Sequence, residues 1–278
     1  MPAAFLPDRA LIRVSGAEAE HFLQNLVTTD VAALPVGEAR PGALLTPQGK
    51  ILFDFLISRD GDGFLLETAA GQQADLVKRL TMYKLRAAVT ITAEPEAGVT
   101  VSWGDEQDAA ALLDRRFAIA GTVLGRRPGR YAGEDDGAYL NLRIAAGIAE
   151  SGADFALQDA FPHDVLMDRN GGVGFKKGCY VGQEVVSRMQ HRGTARRRVV
   201  LVGGETPLPT PGTEITAGGK PVGTLGSVHG EKGLAIVRID RVGEALTKGV
   251  PVLAGETALT VSLPAWSGLD FPTVAEEA

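Results

Sequence analysis

The sequence predicts an α+β protein that ends in an antiparallel β-barrel. Up to about residue 194, segments with apolar residues at helical intervals alternate with segments of strand-like alternation. After Arg198 the pattern changes to VVLV, TEITAG, PVGTLGSV, LAIVRID, VPVLA and ALTVSL, short strands divided by Gly and Pro turns. The chain is also long enough: 278 residues allow two or three packed units sharing a substantial core, and 45 % hydrophobic with 22 % charged residues is ordinary for a soluble globular protein.

Taken in order, Ser15 and Glu18 have the spacing of a capping box, and Ala19, Phe22, Leu23 and Leu26 follow on one face, which predicts a helix over Gly16–Val27. Residues 43–58 read as a hairpin: ALLT, a turn at Pro47-Gln48-Gly49, then a strand with Ile51, Phe53, Phe55 and Ile57 on one face. Arg59–Gly63 is a second turn and Phe64–Thr68 the next strand. Gln72–Lys84 is helical through Leu76, Leu80 and Tyr83, and Ala88–Thr92 returns to strand. Val99–Trp103 is strand-like, Asp105 can cap a helix running to Leu113, and Ala118–Val123 is apolar again. Ala138–Ala146 is a helix that Gly147 can end. Ala149–Gly174 is rich in Gly, Asp and Pro and reads as ordered loop. The expected division is an α+β region over 1–194, with a smaller α+β subdomain around 97–135, a barrel over 195–265, and a tail over 266–278.

One cysteine, Cys179, rules out an intrachain disulfide and a cysteine-only iron–sulfur site within one chain. The four histidines (His21, His163, His191, His229) have no zinc spacing. No run reaches the length of a membrane span, and the N-terminus lacks the pattern of a secretory signal, so a soluble cytoplasmic protein is expected. Net charge is −6, yet residues 176–198 carry seven Lys or Arg against Glu184 alone, +6 locally and −12 elsewhere. Such a patch suits a local anion, or is a solvated loop.

The most specific stretch is FKKGCYVGQEVVSRMQHRG, residues 175–193. A free cysteine is commonly a small buried hydrophobe. Cys179, however, lies in a polar, basic segment punctuated by Gly178 and Gly182, which points to a reactive or interaction role. Lys176 and Lys177 would favour the thiolate, and Gly178 would permit a turn that other residues resist.

The KGCYVGQE string (Lys177, Gly178, Cys179, Tyr180, Gly182, Gln183, Glu184) resembles the signature of the YgfZ folate-binding family. Those proteins are relatives of the glycine-cleavage T-protein, an aminomethyltransferase. They support iron–sulfur enzymes and include a mitochondrial iron–sulfur assembly factor. LIRVSGAEAEHFLQNLVTTD, LTPQGKILFDF, RLTMYKLRAAVTI and LRIAAGI extend the resemblance, in order, over nearly the whole chain. It implies a T-protein-like folate-binding fold with a C-terminal antiparallel β-barrel, and tetrahydrofolate or another reduced folate as ligand. By alignment to a family aromatic, Tyr139 would stack on the pterin, and Arg143 could serve the folate. Tyr139 reads equally as a core tyrosine and Arg143 as the partner of a local acid. T-proteins carry a pterin-gripping glutamate where this chain has Ala145, which weakens the case for T-protein catalysis.

The leading reading is a folate-binding accessory protein for assembly or repair of iron–sulfur clusters, with Cys179 as functional thiol. Resemblance implies iron–sulfur client enzymes as partners, tRNA-modifying ones among them. The alternative is a tetrahydrofolate-dependent aminomethyltransferase of the glycine-cleavage type. A nucleic-acid module centred on Arg196–Arg198 fits poorly with the acidic net charge and the lack of interleaved aromatics. A cysteine hydrolase with His191 as base has only proximity in sequence behind it.

Overall fold

The computed structural model describes residues 2–104, 108–133 and 137–272, apart from the side chains of residues 96 and 97. It divides into two compact units, Met1–Asp136 with Met167–Ser187, and Gly137–Leu166 with Arg188–Ala278.

The first unit is built on seven strands: β1 (Ala3–Ser15), β2 (Glu38–Leu45), β3 (Ile51–Asp60), β4 (Gly63–Ala69), β5 (Thr90–Trp103), β6 (Leu112–Asp114) and β7 (Leu124–Pro128). They close into a barrel in the order β1-β4-β3-β2-β6-β7-β5. Every pairing is antiparallel except β2 with β6. Helices α1 (Ala19–Gln24) and α2 (Gln73–Lys84) cover one side, where Phe22, Leu23, Leu76 and Leu80 join Ile12, Phe53, Phe55, Ile57, Phe64 and Leu66 in one core. The apolar face expected of the 51–57 strand is therefore the core face of β3.

The opposite face of these strands is buried too, and it is charged. Arg126, 2 % exposed, donates through Nε to Glu67 Oε2 at 2.8 Å and through Nη1 to Asp114 at 3.2 Å. Arg9 reaches Glu67 at 2.8 Å, and Arg116 reaches Asp114 at 2.7 Å. Burial alone would push the Glu67 carboxyl up, but the charges of Arg126 and Arg9 outweigh it and hold the group down at about 2. Bonded partners here lie up to 59 positions apart, so only strand register brings them together.

Three local expectations change in this unit. The first helix is shorter than Gly16–Val27, and the capping box does not form: Glu18 Oε2 instead accepts from the Ala88 backbone N–H at 2.6 Å. Ala88–Thr92 and Val99–Trp103 are largely one strand, β5, which pairs along β1 with register shifts. Asp105 lies outside the described residues; residues 108–111 are turn, residues 112–114 form strand β6, and a short helix, α3 (Arg115–Ile119), follows.

The second unit holds α4 (Ala138–Ala146), ended by Gly147 at φ 69° as expected, and the turn-rich 149–166 segment. Its barrel closes in the order β10-β11-β8-β13-β12-β9. The strands are β8 (Arg197–Gly203), β9 (Glu214–Ala217), β10 (Lys220–His229), β11 (Lys232–Arg238), β12 (Val252–Ala254) and β13 (Thr257–Ser262). Helix α6 (Ile239–Thr247), unforeseen in the sequence, lies between β11 and β12 and packs Ile239, Val242 and Ala245 into the barrel core. The remaining helix, α5 (Gln183–Arg192), begins in the first unit and ends in the second.

Candidate functional site

The KGCYVGQE loop is anchored to the first unit by the segment that follows α1. Thr28 is fully buried; its Oγ1 donates to Gly172 O at 2.7 Å, and its own carbonyl accepts from the Gly174 N–H at 2.8 Å. The Thr28 N–H in turn donates to Ala43 O at 2.9 Å, so the loop is tied through this threonine to β2. Lys177 completes the attachment. Its Nζ donates to Val27 O at 2.6 Å and to Thr29 O at 2.9 Å, and it sits 5.1 Å from the centre of the Tyr180 ring.

Lys177 is thus a buried brace, its ammonium turned to the backbone carbonyls of the segment after α1. Burial lowers its ammonium to about 8, with Asp30 opposing. Burial likewise raises the Tyr180 hydroxyl to about 12. Lys176 is exposed.

The two flanking glycines differ in a way their symmetric placement hides. Gly182 has φ 78°, and a Cβ there would lie 2.5 Å from Thr46 O. It lets the start of α5 press against the β2–β3 turn, where a Cβ on Gly49 would in turn meet Val185 at 2.9 Å. Gly178 has no such φ, and a Cβ there would meet no atom within 4 Å, so it serves no demanding turn. Cys179 beside it is exposed. Gln183 is half-buried and Glu184 exposed at the start of α5.

The outcome is one exposed thiol between two buried side chains. Among the described residues no group of three or more His, Cys, Asp or Glu could hold a metal ion. A lone thiolate can form a mixed disulfide, or give one ligand to a centre whose other ligands come from elsewhere.

Tyr139 and Arg143 stand on α4 in the second unit, 4 % and 3 % exposed. The Tyr139 hydroxyl donates to Glu150 at 3.1 Å. Arg143 Nη1 donates to Ile148 O at 2.8 Å and to Asp154 at 2.5 Å, and Nη2 donates to Ser227 Oγ. A ring this buried has no open face for a pterin, and the guanidinium is already held, so neither fits folate as a direct contact. Ala145 is exposed on the same helix. The basic run of residues 176–198 is not one solvated patch: Arg198 is buried with Nη1 on His163 O at 2.7 Å, and Arg197 pairs with Asp159 at 3.1 Å.

Two family models match the chain, the GCVT N-terminal domain over residues 9–102 and the CAF17 C-terminal beta-barrel domain over residues 196–269. The human mitochondrial iron–sulfur cluster assembly factor IBA57 is 30 % identical over 313 residues, covering 98 % of this chain and 85 % of the human protein. Its mouse counterpart is 30 % identical, with coverage of 98 % and 86 %. The mitochondrial homologue of Pyricularia oryzae is 30 % identical, with coverage of 91 % and 75 %. The crystal structure of glycine cleavage system aminomethyltransferase T from Bartonella henselae matches with a TM-score of 0.69 over 99 % of this chain and 86 % of that one, at 17 % identity. The expected T-protein-like fold with a C-terminal antiparallel barrel is the fold observed. The expected cytoplasmic location is corrected, because these relatives are mitochondrial proteins and point away from it. Among the described residues no helix is long and apolar enough to cross a membrane.

Proposed function

Because the chain belongs to the family of the IBA57 iron–sulfur cluster assembly factors, we propose that it supports assembly or repair of iron–sulfur clusters in client proteins, with Cys179 as the working thiol. The observation that carries the proposal is the exposure of Cys179 on a loop whose neighbours Lys177 and Tyr180 are buried. A structural cysteine would be packed; this one is presented. A single thiol cannot hold a cluster by itself, so Cys179 acts at one point of a contact that a client or cluster carrier completes. Clients of the kind served by YgfZ, tRNA-modifying iron–sulfur enzymes among them, belong to this reading.

Reduced folate is the second part of the proposal, supported by the T-protein-like fold. In it Tyr139 and Arg143 act as scaffold, since Asp154, Ser227 and Glu150 already engage them. The aminomethyltransferase alternative has less behind it: Ala145 offers no carboxylate, and the likeness to the Bartonella enzyme is one of fold.

Expression of this chain in a strain lacking its own family member tests the first part. Iron–sulfur enzyme activities should recover; soluble chain at normal level without recovery would overturn it. Calorimetry with tetrahydrofolate tests the second, with saturable heat expected and a flat titration of folded protein counting against it.

A further inference from the structure

In the second unit a groove of about 430 Å³ lies between α6 and the β9–β10 turn, within the size range of small-molecule sites. Its floor is apolar, with Val222 and Ala245 at 3 % and 6 % exposure. Its walls carry Lys220, Arg241 and Lys248 against a single acid, Glu244. Lys248 Nζ already donates to Glu244 Oε1 at 2.6 Å, one helical turn away. Neither Lys220 nor Arg241 has a carboxylate partner among the described residues; both act on Glu244 only at longer range. The contrast with Arg238 is direct, since that side chain is paired with Asp240 at 2.6 Å.

A two-glycine turn borders the groove. Gly218 and Gly219 form the β9–β10 turn at φ 57° and 75°, conformations that glycine adopts without strain. A Cβ at Gly218 would stand 3.6 Å from Val250, at the groove wall. Lys220 and Arg241, with no close carboxylate among the described residues, stand above this apolar floor and concentrate positive potential where a small ligand would enter.

We propose that this groove binds a small organic dianion, two carboxylates or one phosphate on a short apolar frame, held by Lys220 and Arg241 with the frame on Val222 and Ala245. The same chemistry is available from a free metabolite or from two acidic side chains of a peptide. The site does not depend on the role of Cys179.

The test is a backbone-amide NMR titration of the full chain with succinate, with phenyl phosphate, and with a blocked Asp-Val-Glu tripeptide. Saturable shifts confined to residues 217–222 and 241–250 are expected, weakening with added salt because the cations are exposed. Arg241→Gln and Lys220→Gln are surface changes, and each should weaken binding about tenfold, the loss expected for one charge-assisted contact. Tighter binding of succinate or phenyl phosphate identifies a metabolite site, and tighter binding of the tripeptide identifies a peptide site. Shifts that do not saturate with any probe, or that Arg241→Gln leaves unchanged, would overturn the proposal.

Discussion

Lys177 shows how a residue's neighbours in sequence can mislead about its work. Next to a cysteine, a lysine reads as an electrostatic activator, but this side chain turns inward to the carbonyls of Val27 and Thr29. Removing its donors leaves buried acceptors unmet, so Lys177→Met should cost about 1–3 kcal/mol by denaturant unfolding and speed proteolysis within residues 175–182. Wild-type stability and unchanged proteolysis would show that the brace is unimportant. A pH dependence accompanies it. The folded group sits at about 8 against an ordinary 10.5, so the unfolded chain holds more protons between those values. The Lys177 contribution to stability therefore rises as pH climbs from about 8 to 10.5, and it should be missing from the same profile of Lys177→Met.

At the scale of elements, the two glycines of the motif carry different constraints. Gly182 holds φ 78° with the Thr46 carbonyl 2.5 Å from any added Cβ, an atom of the backbone that cannot swing aside. Gly182→Ala should therefore destabilise by about 2 kcal/mol or more, combining the left-handed strain with the shift forced on the β2–β3 turn. Gly178→Ala, with nothing within 4 Å, should stay within about 0.5 kcal/mol of wild type. Equal losses for the two variants, read by chemical denaturation, would contradict the assignment. The same distinction explains what could be read beforehand. The 3.6- and 2-residue periods place α2, α4, β3 and β4 closely, because those elements bury one apolar stripe or face. The first helix is shorter than its pattern suggests because Glu18 bonds Ala88, 70 positions away, instead of Ser15. Helix α6 escapes the pattern because its segment, LAIVRIDRVGEAL, begins as strand β11 and changes period without a Gly or Pro between.

Across the whole molecule, the order of α+β segments and barrel strands is legible in the sequence, and so is Cys179 as the candidate site. The polar interior is not. The Arg9–Glu67–Arg126–Asp114–Arg116 chain and the Arg143–Asp154–Ser227 cluster join residues far apart in sequence, and no local pattern marks an arginine as buried. That is also why Tyr139 and Arg143 are expected at a ligand: the motif shows their residue types, while only the fold shows their partners. Cys179 is proposed as the working thiol of this molecule, and its removal tests that directly. Cys179→Ser keeps the size of the side chain, and because Cys179 is exposed and its loop is held by Lys177 and Thr28, folding should be unaffected. The decisive measurement is iron–sulfur enzyme activity in a strain lacking the family member and complemented with Cys179→Ser at wild-type abundance. A folded variant with the thermal midpoint of wild type and little or no recovery of activity is expected. Full recovery would contradict it.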